Sequence, residues 1–597
     1  MTRFATILIA IHVVVAAQLV AQLPPPPVLG ISPGPCNPAD DVVINNIPVA
    51  CRIVPDKPGT WQEAQDCLVQ LVAMYPNIFL GATIGYQADN GARHLFAHPD
   101  PLFKTNTVAS LASVSKPLNY VGLAKLVQDH TASADCKPVK TARCVFPDGY
   151  NTTLSVALKA LDLRNGTDVF ARWWNAPFTT DPAFAADVQN QAAWKANVTI
   201  QHLAQMTGGF PEMFFTGYRF CVSGTCPPPS ANEIDCKPND PAADPECRYA
   251  FLYNQYLSRR GGTVALPEDC RPRPAAGPRL FDFGSHYNGN VFHDTRKKQR
   301  FERRYSIEPG LFGECVMLDD ALGKRWVDGR VATESEVAKF YLGMPLKGPP
   351  GVKYRYSQPP HYISAYLVEA LTGQRFDDYL KARIFTPLGM TDTSFVVTPG
   401  TSQFSRLADI KRVRRFPVRT LPDLAPGLDQ NAVFGDDKNW DEARKGWNNH
   451  WPEGGAYSTT SDLLTFLKFV GTGMAGTTQI LNAETLARVT SEVGPIGPRS
   501  YAFRAGQHCV LSANGYFTTF MQRDKLRCQN IVVLPQMVIE NPDFGVGNVR
   551  LCDYQYFDVT TVRGYLIEKL KSLPSACNPP PPPTTPQPFE PSSDTDS

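Results

Sequence analysis

The stretch TVASLASVSKPL, residues 107–118, carries the sharpest local signal in this sequence of 597 residues. An apolar run from Val108 to Ala112 changes there into a helical pattern at Ser113. Residues three positions apart share one face of a helix, so the Ser113 hydroxyl and the Lys116 amine are expected to lie side by side. A neutral amine in that place can accept the hydroxyl proton, and the free N–H groups of a helix N-terminus favour developing negative charge. The stretch therefore predicts a nucleophilic serine with its base one turn away.

Taken alone, the Ser-x-x-Lys spacing has a simpler explanation, in which Ser113 caps a helix and Lys116 is exposed to solvent. The spacing arises by chance about once or twice in a chain of this length. Other segments favour the chemical interpretation, because they follow one another in the order found in a known family. These segments are Val198 to Phe210 (VTIQHLAQMTGGF), Tyr356 to Gly373 (YSQPPHYISAYLVEALTG), Pro387 to Phe395 (PLGMTDTSF) and Gly454 to Phe466 (GGAYSTTSDLLTF).

Together with residues 107–118, these segments resemble the serine β-lactamase-like, penicillin-binding-protein-like hydrolases, in particular the class C-like branch that includes esterases and D-amino-acid peptidases. The resemblance covers about residues 60 to 575. It implies an α+β (mixed α/β) fold of the β-lactamase/transpeptidase type, with an antiparallel sheet flanked by helices, a helical subdomain and, in this chain, a Cys/Pro-rich insertion. It also implies hydrolysis of a small-molecule or peptide ester or amide through an acyl-enzyme, without a metal or organic cofactor.

The resemblance assigns roles to particular residues. Ser113 is expected to be the acylated nucleophile and Lys116 its proton partner. Tyr356 matches the tyrosine of the family's Tyr-x-Asn motif, whose phenol passes the proton between nucleophile and leaving group. Without the family match, Tyr356 would be interpreted as a core aromatic residue with a satisfied hydroxyl.

The chain departs from the family pattern at two motifs. Gln358 stands where the family has Asn, and we expect it to contact substrate with a changed geometry. His508 is the candidate for the third motif, a Lys-Thr-Gly or His-x-Gly strand, although an ordinary strand histidine is the alternative. Val510 stands where that motif has Gly, so a side chain is expected to crowd the acyl pocket. His202 and His361 are interpreted as structural.

Apolar periodicity predicts the order of the helices and strands. A helix is expected over Trp61 to Met74, then a hairpin in which a buried strand from Ile78 to Gln87 returns over His94 to Ala97. Helices are expected from Ser113 onward and over Tyr362 to Leu371, Phe376 to Ile384, Leu463 to Val470 and Thr560 to Leu573, with a late strand from Ile531 to Ile539 broken by Pro535. This order predicts that strands distant in sequence share one sheet flanked by helices.

Composition divides the chain into four parts. Residues 1–21 match a signal peptide, with a short apolar run after Arg3, and a membrane anchor is the alternative. Residues 22–59 form a Pro- and Cys-containing extension, and residues 60–577 form the catalytic domain, interrupted at about 215–335 by a tract with little expected regular structure. Residues 578–597 are a Pro-rich tail expected to stay disordered. The mature protein is expected to be secreted, with no membrane attachment after signal cleavage.

Cysteines and glycosylation sequons agree with export. The 15 cysteines favour disulfides in an oxidising compartment, although their pairing cannot be deduced from sequence. Zinc binding is the alternative, but no C-x-x-C pair occurs. Asn151, Asn165 and Asn197 each begin an Asn-x-Thr sequon and are expected to carry N-glycans on the surface.

Charge excludes some partners. The formal net charge is +2, with 58 basic and 56 acidic residues, so nothing global attracts nucleic acid. Two basic runs, Arg296 to Arg304 and Lys411 to Arg419, are interpreted as solvated loops, with a polyanion contact or a processing site as the alternative. The leading hypothesis is a secreted serine hydrolase. A catalytically silent surface or binding protein with the same fold is the alternative, favoured by Gln358, Val510 and the insertion.

Overall fold

The computed structural model describes the chain in separate ranges. These are residues 48–54, 57–74, 79–101, 103–211, 217–220, 233–236, 249, 252, 256, 279–281, 334–395, 401–407, 452–490, 504–505, 510–514, 519–525, 527–537 and 564–574. The signal peptide, most of the N-terminal extension, the Pro-rich tail, both basic runs and His508 lie outside these residues.

The main sheet has six antiparallel strands in the order β3-β4-β5-β6-β1-β2. Strands from the two ends of the chain meet at its centre, where β1 pairs with β6, as the element order predicts. The strands are β1 Phe79–Ala88, β2 Arg93–His98, β3 Arg504–Ala505, β4 Val510–Asn514, β5 Phe520–Asp524 and β6 Gln529–Met537.

Helices account for most of the remaining regular structure in the described residues. They are α1 Trp61–Met74, α2 Ser115–Thr131, α3 Leu154–Asn165, α4 Ala185–Ala196, α5 Ile200–Ala204, α6 Glu334–Gly343, α7 Pro359–Thr372, α8 Phe376–Leu380, α9 Ser402–Ser405, α10 Thr460–Thr472, α11 Ala483–Thr490 and α12 564–571. The predicted helix over Trp61 to Met74 is confirmed, and Gly373 ends α7 in the left-handed conformation, with φ of 68°.

The expected break at Pro535 is wrong. Strand β6 continues through Pro535, which pairs with Ala82 of β1. Proline cannot donate a ladder hydrogen bond, so it is accepted only where one side of the strand is unpaired. Strand β5 begins at Phe520, opposite Val533, and in the described residues Pro535 therefore has a ladder partner on the β1 side alone.

The two faces of the sheet bury alternate residues, as strand periodicity requires. On one face, Ile531 and Val533 of β6 pack in a cluster with α1 and α12. On the other face, Val532 and Leu534 join the large core that contains α2, α7 and α10. Helix α10 approaches β1 closely, because a Cβ at Gly85 would lie 2.4 Å from Thr460 Cγ2.

Helices α2 to α8 build the helical part of the core beside the sheet. Helix α2 is buried on nearly all sides, since α7, α8, α11 and the short 3-10 turn Gly149–Asn151 pack around it. A helix in this position carries its first turn into the interior, where polar side chains lose contact with water. The fold therefore places residues 113–116 between the sheet and the helical region.

Most of the expected insertion, residues 215–335, lies outside the described residues, and three short segments within it form strands. Gly217–Phe220, Glu233–Cys236 and Arg279–Phe281 form a separate three-stranded sheet, with the first segment in the middle. Strands of three or four residues are too short to show an alternating pattern in sequence. The sequence showed only that the composition changes there and that apolar periodicity is lost.

Disulfides join Cys51 to Cys67 and Cys136 to Cys144. The first ties the 3-10 turn Val49–Cys51 to α1, and the second closes a loop after α2. The pairing between these cysteines follows from tertiary proximity, which sequence alone had left open.

Candidate active site

Ser113 lies on a 3-10 turn, Ala112–Val114, and α2 begins at Ser115. The turn is fastened on two sides. The Leu111 N–H donates to the Ala456 carbonyl at 2.8 Å, and the Ala456 N–H donates to Ser115 Oγ at 3.0 Å. Thr519, just before β5, donates its hydroxyl to the Leu111 carbonyl at 2.7 Å. These bonds fix the backbone that presents Ser113.

Lys116 projects from the first turn of α2 and is 4% exposed. Its Nζ donates to Ser113 Oγ at 3.0 Å and to the main-chain carbonyl of Glu453 at 3.1 Å. The amine also lies 4.7 Å from the centre of the Tyr356 ring. The i to i+3 spacing that the sequence indicated thus brings the hydroxyl and amine into contact.

Tyr356 reaches the same point from the segment before α7. Its phenol donates to Ser113 Oγ at 2.6 Å, so the serine oxygen accepts from both Tyr356 and Lys116. The two partners come from opposite sides of the core, and 243 residues separate Tyr356 from Ser113. A hydroxyl that contacts an amine and a phenol can exchange protons with both.

Burial changes the pKa values of Lys116 and Tyr356 in opposite directions. Burial lowers the pKa of the Lys116 amine to about 7, and the Glu453 carboxylate opposes that change. Burial raises the pKa of the Tyr356 phenol above its usual value. Near neutral pH, an appreciable fraction of Lys116 is therefore neutral and able to accept a proton, while Tyr356 keeps its proton and acts as a donor.

The structure describes one of the two predicted substrate-contacting residues, Gln358, and not the other, His508. Gln358 is buried beside α6, where its Oε1 accepts from the Tyr341 hydroxyl at 3.4 Å, and its Nε2 has no hydrogen-bond partner among the described residues. It therefore does not join the contacts around Ser113, and its role toward substrate stays a prediction. His508 lies outside the described residues, although β4 runs beside the turn that carries Ser113.

His202 and His361 take structural positions. The His202 N–H and Nδ1 form a capping box with Thr199 at the start of α5. His361 is fully buried, with its Nε2 3.2 Å from the Tyr120 hydroxyl. Tyr120 donates to the Leu203 carbonyl at 2.9 Å, so this network assigns the His361 proton to Nε2.

Two residues of this region were missed by sequence reasoning. Asn119 donates to the carbonyls of His361 and Pro452, both at 3.2 Å, and so joins α2 to α7 and to the segment before α10. Glu453 is 1% exposed, beside Lys116. Its only sequence signal was an acidic residue directly before the block GGAYSTTSDLLTF, which no periodicity distinguishes from a surface carboxylate.

One group of described residues has the composition of a metal site. His130 Nε2 or Nδ1 and the sulfurs of Cys136 and Cys144 lie within 4.8 Å of one another. The two sulfurs form a disulfide, and His130 Nε2 accepts from the Val145 N–H at 2.9 Å. Metal binding needs thiolates, so the donor set does not fit a metal ion.

The three sequon asparagines, Asn151, Asn165 and Asn197, are exposed. Attachment of glycans to them stays a prediction. None of the described helices combines the length and apolar character needed to cross a bilayer.

Comparison with known proteins shows which family part of this chain resembles. Residues 317–524 match the Beta-lactamase family model. A putative D-alanyl-D-alanine carboxypeptidase of Escherichia coli (strain K12) is 28% identical over 150 residues, which are 25% of this chain and 33% of that protein. The chain thus spans about a third of the length of this relative.

Two solved structures align with most of the chain at low identity. The D-amino acid amidase from Ochrobactrum anthropi SV3 is 14% identical, covers 85% of this chain and 100% of its own, and has a TM-score of 0.42. EstCE1, a hydrolase with promiscuous acyltransferase activity, is 14% identical, covers 84% of this chain and 97% of its own, and has a TM-score of 0.42.

The family match includes Tyr356 and the block before α10, and the sheet and helices have the β-lactamase/transpeptidase-like arrangement that the sequence predicted. Residues 317–524 are therefore similar to the serine β-lactamase-like, penicillin-binding-protein-like hydrolases that the sequence segments resemble.

Proposed function

We propose that this protein is a secreted serine hydrolase that cleaves an ester or amide through an acyl-enzyme on Ser113. One observation carries the proposal. Ser113 Oγ lies within hydrogen-bond distance of both Lys116 Nζ and the Tyr356 hydroxyl, at 3.0 and 2.6 Å. The alternative interpretation, a core tyrosine and a solvent-exposed lysine, does not predict that both side chains contact the same serine.

Acylation begins with the neutral form of Lys116. As Ser113 Oγ attacks the substrate carbonyl carbon, its proton passes to Lys116 Nζ and a tetrahedral intermediate forms. Burial favours this form of Lys116, because the ammonium is the more costly species in the interior. The negative oxygen of the intermediate is expected to accept from the Ser113 N–H and from a backbone N–H of β4.

Tyr356 completes the proton transfer. Its phenol gives a proton to the leaving oxygen or nitrogen as the carbon–leaving group bond breaks, and it recovers a proton from the Lys116 ammonium. In deacylation a water molecule attacks the acyl carbon and gives its proton to Lys116. Tyr356 gives its proton to Ser113 Oγ as the ester bond breaks, and it recovers a proton from the Lys116 ammonium. The cycle returns both residues to their starting states.

The charges around Ser113 bear on the class of substrate. Recognition of a substrate carboxylate needs a cation beside the acyl pocket. Lys116 is the cation that the described residues bring to Ser113, and its amine is engaged by Ser113 and Glu453. We therefore expect uncharged esters and amides to be better substrates than peptides ending in a free carboxylate at the site. The matched carboxypeptidase relative makes a D-alanyl-D-alanine peptide, with its C-terminal carboxylate blocked as an amide, the first amide to test.

Secretion is part of the proposal. The apolar run near the N-terminus has the length of a signal-peptide core, and the exposed sequon asparagines suit an exported glycoprotein. Disulfides such as Cys51–Cys67 persist in oxidising compartments. Detection of processed, glycosidase-sensitive protein in culture medium would test this part.

The test of the nucleophile is labelling with a fluorescent fluorophosphonate and, in parallel, a fluorescent β-lactam. Wild-type protein is compared with Ser113→Ala and with the control Ser110→Ala, which changes a serine of the same segment that makes no contact with Lys116. We expect label on Ser113 by peptide mapping, loss of label in Ser113→Ala and retention in Ser110→Ala. Folded wild-type protein that neither probe labels would refute the proposal and favour a catalytically silent binding protein.

A further inference from the structure

Glu453 lies at the start of the segment that leads into α10, and both its main chain and its side chain are buried. Its carbonyl accepts from Lys116, and the carbonyl of Pro452 accepts from Asn119. Lys116 and Asn119 are three residues apart and share one face of α2. The first turn of α2 is therefore fastened to the main chain of Glu453 by the candidate base itself.

The Glu453 carboxylate has few hydrogen-bond partners. Neither of its oxygens makes a hydrogen bond of normal geometry with the described residues, although the Tyr362 hydroxyl lies close enough to lower its pKa. A buried carboxylate with so few hydrogen-bond partners is costly in its charged form, because burial removes its hydration. A glutamine or a leucine would fill this space at lower cost, so stability does not explain the glutamate.

Electrostatic interaction with Lys116 does explain it. Burial raises the pKa of Glu453 and lowers that of Lys116, and the charge of each group opposes the change in the other. The carboxylate makes no hydrogen bond with the amine. The amine donates instead to the main-chain carbonyl of the same residue. The negative charge therefore acts on Lys116 through space without displacing it from Ser113.

We propose that Glu453 is a positioning residue, which holds Lys116 against Ser113 through its main-chain carbonyl and controls the charge of that amine through its buried carboxylate. The proposal rests on the proposed function for its consequence, which is the pH range in which Ser113 reacts. The interaction between Glu453 and Lys116 is a property of the folded protein with or without turnover.

The other groups around the pair are neutral near pH 7. Tyr356 and Tyr120 keep their phenol protons, because burial raises the pKa of each. Burial lowers the pKa of His361 well below its usual value, so this ring is neutral, and Tyr362 contributes a hydroxyl. Among the described residues around the site, Lys116 and Glu453 are thus the pair whose charges change near neutrality.

The sign of the effect follows directly. A negative carboxylate favours the ammonium form of Lys116, so its removal in Glu453→Gln leaves burial to act alone. Lys116 then loses its proton at lower pH. An opposite charge a few ångströms away changes a pKa by about 1 to 3, so the titration midpoint should fall by about one pH unit or more.

The experiment measures Lys116 directly. Full-length protein carrying lysine labelled with 13C at Cε is titrated by NMR, and the Lys116 signal is assigned with Lys116→Arg. Glu453→Gln should lower the Lys116 midpoint by about one pH unit or more. Glu369→Gln is the matched control, since Glu369 is a carboxylate whose pKa burial also raises, but it accepts from Ser335 and Lys116 is not among the charges that act on it. It should leave the midpoint unchanged.

Fluorophosphonate labelling of Ser113 across pH 4.5 to 9 supplies the second readout. The acid limb of the rate should move to lower pH in Glu453→Gln, and labelling at the foot of the limb should become about tenfold faster for each pH unit by which the midpoint falls. An unchanged midpoint, with labelling reduced equally at every pH, would show a packing role only and overturn the proposal. A lowered midpoint in Glu453→Gln, combined with wild-type protein that is never labelled, would refute the proposed function alone.

A milder variant covers the case in which Glu453→Gln does not fold. Tyr362→Phe removes the hydroxyl that lowers the pKa of Glu453, so the carboxylate becomes neutral at lower cost. The Lys116 midpoint should move in the same direction by a smaller amount. A midpoint at or above the wild-type value in this folded variant would equally overturn the proposal.

Discussion

Replacing Gly471 by alanine tests how α10 is held on the sheet. Gly471 is near the end of α10, where the Arg523 guanidinium of β5 lies against the helix. A Cβ at position 471 would lie 2.3 Å from both Cζ and Nε of Arg523. That separation is far inside van der Waals contact, so either the helix or the arginine must move.

Arg523 is not free to move away. Its side chain is only 7% exposed, and its guanidinium donates to both carboxylate oxygens of Asp89, at 3.0 and 2.9 Å. It also donates to Asn530 Oδ1 at 2.9 Å. The arginine thus joins β5 to β6 and to the turn after β1, and displacement would break these bonds in the interior.

The magnitude follows from two opposing contributions. Alanine is better than glycine inside a helix by about 1 kcal/mol. Breaking an ion pair costs about 3 to 5 kcal/mol when both partners are buried, and this value is an upper limit here because Asp89 is 33% exposed. We therefore expect Gly471→Ala to lower the free energy of unfolding by at most about 2 to 4 kcal/mol.

Urea unfolding followed by circular dichroism measures this difference. Gly564→Ala is the control, because Gly564 is also helical and its added Cβ would meet nothing within 4 Å. That control should be neutral or slightly stabilising. In a double-mutant cycle with Arg523→Met, the cost of Gly471→Ala should largely disappear. Equal stability of Gly471→Ala and Gly564→Ala, or full additivity with Arg523→Met, would refute the reasoning.

Three further predictions concern the site and a disulfide. Because burial lowers the pKa of Lys116 to about 7, the rate of Ser113 labelling should rise about tenfold per pH unit below 7 and level off above 8; a rate that still climbs at pH 9.5 would mean that Lys116 titrates normally. Tyr356→Phe should lower kcat by about 10²- to 10³-fold with little change in KM, since it removes a proton donor and leaves the ring; measured ester hydrolysis at the wild-type rate would exclude the proton-transfer role. Replacing Cys136 and Cys144 together by serine should reduce the free energy of unfolding by about 2.5 kcal/mol, the chain-entropy value for a loop with a sequence separation of 8, and unchanged unfolding in urea would contradict this.

Local pattern was sufficient for much of the fold. Two predicted elements are confirmed, the helix over Trp61 to Met74 and the hairpin of β1 and β2. Each depends on residues that are close together in the sequence. The same locality explains the errors. Pro535 was expected to break a strand, but whether a strand accepts proline depends on its neighbour, here on where β5 begins, and a local pattern does not contain that information.

The sequence by itself indicated which side chains near Ser113 are candidates for chemistry. A serine and a lysine three residues apart at a helix start share one face in any environment, because helix geometry is local. The order of the family segments likewise needs no coordinates. Gln358 shows the limit, because its departure from Asn was visible in sequence while its burial against Tyr341 was not.

Only the tertiary structure decided whether those groups could work together. Tyr356 reaches Ser113 across 243 residues of chain, and Glu453 reaches Lys116 across 337. The charge of Lys116 depends on the loss of water around it and on the carboxylate beside it, and both arise from chain segments that meet only after folding. Desolvation and Coulomb interaction depend on distance in space, which local periodicity does not encode.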